Sequence, residues 1–408
     1  MPAAETAPTP AAADQHPGDQ PPGEEALHIG RTGVDPHADA AHIRDLVEAQ
    51  RHKEARHIGF PGNLAPDHSA ALAPALSVLF NNVGDPDSPD TSDVGTKPYE
   101  QQVIAFLAEL FGAHRDDVFG YVTASGTAAN EHGLHTARTR LPDAPLYYSP
   151  GSAHYSIPLL AGKLRIEAVP IASNNDGTMN PAALHAACAA RPGRAAIIAA
   201  TIGTTMTGAS DDLPALRHAA TTAGTVHLHV DGALGALIAA TTPGLPDCGF
   251  TAGTDTLALS GHKLLGSPIP YGITLTRTEH TTPTRSGPYT GATNHTLDCS
   301  RSGLAALIAW LRLRELGRTG LQAMVARCQH NAHYLHHRLK ALGAYQPHLH
   351  EGALTVTFNA PAPWVTHRWS LPVVHGRAHA ITVEHVTRPL LDAFLDDLAH
   401  GMPEEAAA

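Results

Sequence analysis

Between residues 118 and 277, short apolar runs alternate with stretches of helical periodicity, and this alternation leaves few architectures open. VFGYVTAS (118–125), LYYS (146–149), RIEAVPI (165–171), RAAIIAATIG (194–203), TVHLHVDG (225–232), DTLALSGH (255–262) and YGITLTR (271–277) read as strands. The run 194–203 is almost continuously apolar, as in a strand covered on both faces. TAANEHGLHTARTR (127–140) and DLPALRHAATTAG (212–224) read as helices, the second stopping on a glycine. Strands separated by helices over more than 150 residues predict an α/β layer around a mostly parallel sheet.

The flanks differ from this middle. Ile43, Leu46 and Val47 predict a helix over 39–53, followed by the glycine- and proline-rich loop RHIGFPGNLAPD. Helical spacing returns in Leu72–Leu79, and 80–93 is a turn-rich loop. Tyr99–Gly112 is an amphipathic helix with Val103, Phe106, Leu107 and Leu110 on one face. After about residue 285 come two long helices, Leu304–Gly317 and Gln322–Gly343, strands at 353–360 and 378–383, and a last helix, PLLDAFLDDLAHG. The expected organisation is a disordered tail (1–26), a helix-and-loop segment that contacts a second copy (27–95), a large α/β domain (96–285) and a smaller α+β domain (286–408).

Composition excludes several functions. With 27 Lys and Arg against 38 Asp and Glu, the net charge is −11, without the basic footprint of a nucleic-acid binder. No apolar run nears the ~18 residues of a membrane span, and no signal peptide is expected at the N-terminus. Cys188, Cys248, Cys299 and Cys328 are far apart and suggest no disulfide framework, so the expected compartment is the reducing cytoplasm. Lysine is confined to Lys53, Lys97, Lys163, Lys263 and Lys340, so any lysine chemistry has five candidates.

Of these, Lys263 follows an apolar strand within Ser260-Gly261-His262-Lys263, at the edge where open α/β sheets bind ligands. Confinement lowers the proton affinity of an amine, and a neutral amine can form a Schiff base; a surface loop lysine is the equally weighted alternative. Asp231 ends the strand in HLHVDGALG, where a buried carboxylate needs a cationic partner such as a pyridinium nitrogen. An N-cap would be the commoner role for such an aspartate. Ala233, two residues on, is small enough for a flat ring to lie against it.

Thr123-Ala124-Ser125-Gly126-Thr127 crosses from strand to helix, where backbone N–H groups and the helix dipole favour a phosphate; an ordinary Ser/Thr cap explains it as well. His154, in SPGSAHYS, could stack on a ring or serve a structural hydrogen bond. Thr204 and Thr205 in IGTTMTGASDDL would share the sheet edge of Asp231 and Lys263, while Asp211 and Asp212 read as caps of the next helix. The order of these features decides more than any one of them: phosphate cup, ring stacker, threonines, acid and lysine, each at a strand end.

GYVTASGTAAN, LYYSPGSAHYS, IGTTMTGASDDL, HLHVDGALG and above all LALSGHKLLGSPIPYGITL resemble the group II pyridoxal-phosphate-dependent amino acid decarboxylases, in particular the bacterial histidine decarboxylase and plant serine decarboxylase branch. The likeness runs from about residue 56 to the final helix. It implies fold type I: a mostly parallel seven-stranded sheet flanked by helices, a smaller C-terminal α+β domain, and an obligate homodimer with the active site at the interface. It implies pyridoxal 5'-phosphate as cofactor, Lys263 as its Schiff-base lysine and Asp231 as partner of the ring nitrogen. His154 and Ala233 would flank the ring. Ser125, Gly126 and Thr127 would hold the phosphate, completed by Ser260 and His262, with Thr204 also on the cofactor. Tyr289, in GPYTGATNHTLDCSRSG, matches a tyrosine that returns a proton to the substrate α-carbon across the dimer. Arg301 matches a structural or phosphate-side arginine.

Two departures stand out. Relatives often carry Gly-Thr-Glu-Gly-Asn where this chain has Gly126-Thr127-Ala128-Ala129-Asn130, and Tyr271 follows SPIP where a small residue is usual. The expected reaction is decarboxylation of a histidine- or serine-like L-amino acid to its amine. The alternatives are another fold-type I reaction (lyase, transaminase or decarboxylation-dependent oxidase), a non-catalytic cofactor binder, and a metal site on the HLH segments 227–229 and 348–350, for which no convincing ligand set is visible.

Overall fold

The computed structural model describes residues 27–401 except 34, 36, 38, 90–93, 284–290 and 292. The expected tail 1–26 and Tyr289 lie outside the described residues. The strands in chain order are β1 (Asn81–Val83), β2 (Val118–Thr123), β3 (Leu146–Tyr148), β4 (Ala168–Pro170), β5 (Ala196–Thr201), β6 (Val226–Asp231) and β7 (Thr256–Ser260). Then follow β8 (Gly272–Arg277), β9 (Ser300–Ser302), β10 (His348–Leu349), β11 (Thr355–Asn359), β12 (Val373–Val374) and β13 (Arg377–Ile381).

Seven strands form the central sheet in the order β2-β8-β7-β6-β5-β3-β4. Only β8 runs against its neighbours; the other pairings are parallel. β2, β5 and β7 are buried along their whole length, which is why they read as apolar runs without alternation. The register brings strand ends together at one edge: Thr201 lies beside Asp231, and both Thr123 and Ser260 lie beside Gly272. The fold is therefore the expected α/β class with a mostly parallel seven-stranded sheet.

The helices that matter for the site are α1 (Ala40–Glu54), α2 (Lys97–Leu110), α3 (Gly126–Arg140), α4 (Ser156–Lys163), α5 (Leu213–Ala219), α6 (Gly303–Ala341) and α7 (Arg388–His400). α2 buries Val103, Ile104, Leu107 and Leu110 in the main core, and the chain turns away at Gly112, whose φ is +73°. Emptying one such site, as in Leu107→Ala, costs about 2–5 kcal/mol. A second apolar cluster joins Leu134 of α3 and Ile157 and Leu160 of α4 to Leu146 and Ile197 of the sheet.

Several expectations needed adjustment. Leu72–Leu79 is a short α-turn (Ser69–Leu72) and a 3-10 turn (Ala73–Ser77), because Pro74 removes a backbone donor from any continuous helix. The two expected C-terminal helices are present within the run α6: the backbone leaves helical geometry at Gly317, with φ 58° and ψ −173°, and separates one helix from the other. The turn-rich 80–93 segment contains β1, paired antiparallel with β9. Asp212 caps α5 by accepting from the Ala215 N–H at 2.9 Å. Asp211 does not cap; its carboxylate accepts from the backbone of Thr201 and Met179, both at 2.7 Å. Helix α1 forms as expected, yet Ile43, Leu46 and Val47 are exposed and only Ala49 is buried. The remaining strands β10-β11-β13-β12 make an antiparallel sheet, with α7 packing Leu391, Phe394, Leu395 and Leu398 into the core.

Candidate active site

Strand-end residues and the start of α3 enclose a cavity of roughly 260 Å³, lined by Ser125, Gly126, Thr127, Asn130, His154, Ser156, Asp231, Ala233, Ser260, His262, Lys263 and Pro270. Every expected site residue among those described, except Thr204 and Arg301, is on this wall. Thr204 is buried elsewhere, its hydroxyl shared with Thr207 at 2.7 Å and with the Ala209 N–H at 3.1 Å. Arg301 is also off the wall. It is buried against Glu100 and donates to the carbonyls of Gly84 at 2.8 Å and Val122 at 3.3 Å, which is the structural alternative.

Ser125 is the N-cap of α3, its hydroxyl accepting from the Ala128 N–H at 3.1 Å. Gly126 opens the helix directly beneath Ser260: a side chain there would collide with the Ser260 hydroxyl. The first residues of α3, at the positive end of the helix, thus lie on the cavity wall beside Ser260, a natural anion seat.

Lys263 is carried by a single π-helical turn, His262–Gly266, between β7 and β8. Three consecutive carbonyls there are held from outside. The Asn63 N–H donates to Lys263 O at 3.0 Å, Asn63 Nδ2 to Leu264 O at 2.9 Å, and Arg312 Nε to Leu265 O at 2.9 Å. Glu384 ties the two donors together by accepting from Asn63 Nδ2 at 3.2 Å and from Arg312. Burial lowers the proton affinity of the Lys263 amine, with Asp231 opposing. A weakened ammonium is what an amine needs if it is to attack a carbonyl.

Asp231 is buried at the end of β6; Oδ1 accepts from the Ala233 N–H at 3.2 Å and Oδ2 from Asn130 Nδ2 at 3.0 Å. His154 is half-buried, and its Nδ1 lies 2.9 Å from the Ser156 hydroxyl. Burial lowers its proton affinity, against the pull of Asp231, so the ring is biased to the neutral form. His262 is lowered for the same reason, and its Nδ1 lies 3.1 Å from Tyr271 O. Tyr271 itself is fully buried under Gly261 and absent from the cavity wall.

Residues 113–360 match the pyridoxal-dependent decarboxylase conserved domain. The chain belongs to that family. It is 32% identical to the histidine decarboxylase of Solanum lycopersicum, over 87% of each chain. It is 33% identical to serine decarboxylase 1 of Oryza sativa subsp. japonica, over 88% of this chain and 74% of that one. The L-methionine decarboxylase of Streptomyces sp. 590 shares the fold, with TM-score 0.85 and 23% identity, covering 94% of this chain and 98% of that one.

The decarboxylase is thus a pyridoxal-phosphate-dependent enzyme, and its cavity fits that cofactor. The start of α3 and the Ser260 hydroxyl packed against Gly126 line one end of the cavity, where a phosphate would sit, the Lys263 amine is desolvated, and the pinned Asp231 carboxylate faces the same space. Sequence reading passed over three parts of the wall. Asn130 stood in a string noted only for its missing acid, one turn beyond Gly126 on α3. Ser156 and Pro270 carried no motif beyond the strings around His154 and Lys263. The HLH segment 227–229 has another use: both rings reach the Thr256 hydroxyl, at 3.1 and 2.9 Å. In the other, His348 Nε2 lies 3.2 Å from His350 Nε2.

Proposed function

We propose that the decarboxylase takes a small polar L-amino acid, histidine or serine, and releases its carboxylate as carbon dioxide to leave the amine. The single observation that carries this reading is the convergence of Lys263, Asp231 and the Ser125–Thr127 turn on one cavity, in a chain similar to histidine and serine decarboxylases. Pyridoxal phosphate, when bound, supplies an electron sink for the pair left behind by carbon dioxide.

The chain supplies the rest. Lys263, its amine desolvated, is the residue that would hold the cofactor, and its amine would be available to carry a proton once free. Ser125, Gly126 and Thr127 hold the phosphate, joined by Ser260 and His262. Asp231 holds a proton on the ring nitrogen, which keeps the sink charged. His154 and Ala233, both on the cavity wall, would flank the ring. Closing these groups around a dry site fixes the substrate carboxylate for departure. Tyr289 returns the proton to the α-carbon.

The active unit in this reading is a homodimer. Supporting it, Ile43, Leu46 and Val47 form an exposed apolar stripe on α1, a surface that a second copy would cover. The assignment of Tyr289 to the cavity of a second copy belongs to this reading, and Tyr289 lies outside the described residues. The organisation into segments 27–95, 96–285 and 286–408 goes with this assignment. No described helix is long and apolar enough to cross a membrane, and Cys188, Cys248 and Cys328 are free and buried, which suits a reducing cytoplasm.

The test is carbon dioxide release from cofactor-loaded protein across the proteinogenic amino acids. Release from histidine or serine, abolished in Lys263→Ala, is the expected result. Release from another amino acid alone would replace the substrate. Turnover without carbon dioxide would move the enzyme to a different pyridoxal-phosphate reaction.

A further inference from the structure

Behind Asp231 runs a line of buried side chains that the reaction above leaves unused. Asn130 Nδ2 donates to Asp231 Oδ2 at 3.0 Å, and Asn130 Oδ1 lies 3.0 Å from His229 Nε2. His229 Nδ1 lies 2.9 Å from the Thr256 hydroxyl, which also lies 3.1 Å from His227 Nε2. Asn130, His227, His229 and Thr256 are all buried, on α3, β6 and β7.

Elementary chemistry fixes the direction of every bond. A carboxylate can only accept, so Asn130 turns its NH2 toward Asp231 and its oxygen toward His229. His229 Nε2 must then carry the hydrogen. Burial makes the His229 cation unfavourable, so its Nδ1 is bare and accepts from Thr256. Thr256, having given its one hydrogen, accepts from His227 Nε2. The line ends at His227 Nδ1, a buried nitrogen with no partner among the described residues. Every donor points toward the carboxylate.

Helix α3 is shaped around this line. Gly133 stands in mid-helix, where glycine costs roughly 1 kcal/mol relative to alanine. A side chain there would collide with the His229 ring and crowd Thr256.

We propose that His229 and Thr256 are positioning residues for Asp231. They lock the Asn130 amide in the one orientation that offers an N–H to the carboxylate, and so hold that carboxylate fixed on the cavity wall. This rests on the assignment of Asp231 to the ring nitrogen of the cofactor.

The experiment uses full-length protein stripped of cofactor and reloaded with pyridoxal 5'-phosphate labelled with 15N in the ring. Two quantities are read: the dissociation constant, and the 15N shift that reports whether the ring nitrogen carries a proton. Thr256→Val keeps the shape and removes the hydroxyl. It is expected to weaken binding about tenfold, the scale of support lost by a charged group, and to move the signal toward the unprotonated position. His229→Phe is expected to do the same or more, and Thr256→Ser to restore both readings. Wild-type readings in Thr256→Val, alongside loss of both in Asp231→Ala, would overturn the proposal and leave the role of Asp231 standing. Wild-type readings in Asp231→Ala would remove that role as well. If His229→Phe does not fold, Thr256→Val and Thr256→Ser decide the matter alone.

Discussion

Gly126 faces Ser260 with no room between them for a methyl group. One comes from the first turn of α3 and the other from the end of β7, where Ser260 pairs with Gly272 of the antiparallel strand β8, itself paired on its other side with Thr123. Gly126→Ala should push the Ser260 hydroxyl out of the cradle without touching any charged group. Affinity for pyridoxal phosphate should fall at least about tenfold, the scale of a lost hydrogen bond to an anion. A cofactor titration on the variant, with circular dichroism to show that it is folded, reads this directly. Unchanged affinity would place the phosphate elsewhere.

The clamp on the lysine turn predicts a coupled loss. Asn63→Ala removes the donor to Leu264 O and one partner of Glu384, both buried or half-buried. Unsatisfied buried acceptors cost about 1–3 kcal/mol each, so the thermal midpoint should drop. Attachment of cofactor to Lys263, followed by absorbance, should also slow. A lowered midpoint with an unchanged attachment rate would make Asn63 a stability residue only.

Tyr271 offers a change in the opposite direction. Its ring is fully buried, and its hydroxyl has no partner among the described residues. Tyr271→Phe keeps the packing and removes an unpaired polar atom, so stability should hold or rise by about 1 kcal/mol. The pattern of amino acids accepted should not change, because Tyr271 is not on the cavity wall. A clear fall in thermal midpoint would show that the hydroxyl has a hydrogen-bond partner after all.

Acid should destabilise the fold in a defined window. Burial holds His229 and His379 down to about 4, and His132 to about 3, from an ordinary 6.5. Between these values the unfolded chain binds protons that the native chain refuses. Stability is therefore complete above pH ~6.5 and falls as pH drops toward ~4. Each of His229 and His379 accounts for on the order of 3 kcal/mol over the full window. Asp211 opposes them: burial raises its carboxyl to about 6, so protonation favours the native state. Three histidines outweigh one aspartate, and thermal midpoints should decline from pH 7 to pH 5. A flat profile would contradict the burial of the neutral rings.

How far the sequence could be read depends on the range of the physics. Strands β5 and β7 announced themselves because both faces are buried, so apolar residues run through them without alternation. Asp231 at the end of β6, Ser260 at the end of β7 and Lys263 just beyond it followed from strand position. β1 and β9 were hidden, since Asn81–Val83 and Ser300–Ser302 are short, polar and paired across more than 200 residues. Thr204 shares the sheet edge with Asp231, yet a local turn captures its hydroxyl through Thr207. Asn130 joined the site only because α3 lies across β6, a contact that no local pattern encodes. The exposure of Ile43, Leu46 and Val47 was equally illegible: the periodicity of a helix does not say which surface will cover it.

The reversed direction of β8 has a kinetic consequence. Because Ser260 and Gly272 pair, Lys263 sits inside a hairpin closed over about a dozen residues, whereas Asp231 and Ser125 reach their neighbours through crossovers or distant strands. Short loops close at low entropic cost, and local contacts form fast. The segment bearing the lysine is therefore expected to be organised early in folding, with the acid and the phosphate seat arriving around it. Mutations at Ser260 or Gly272 should slow folding itself, while those at Asp231 should leave its rate nearly untouched.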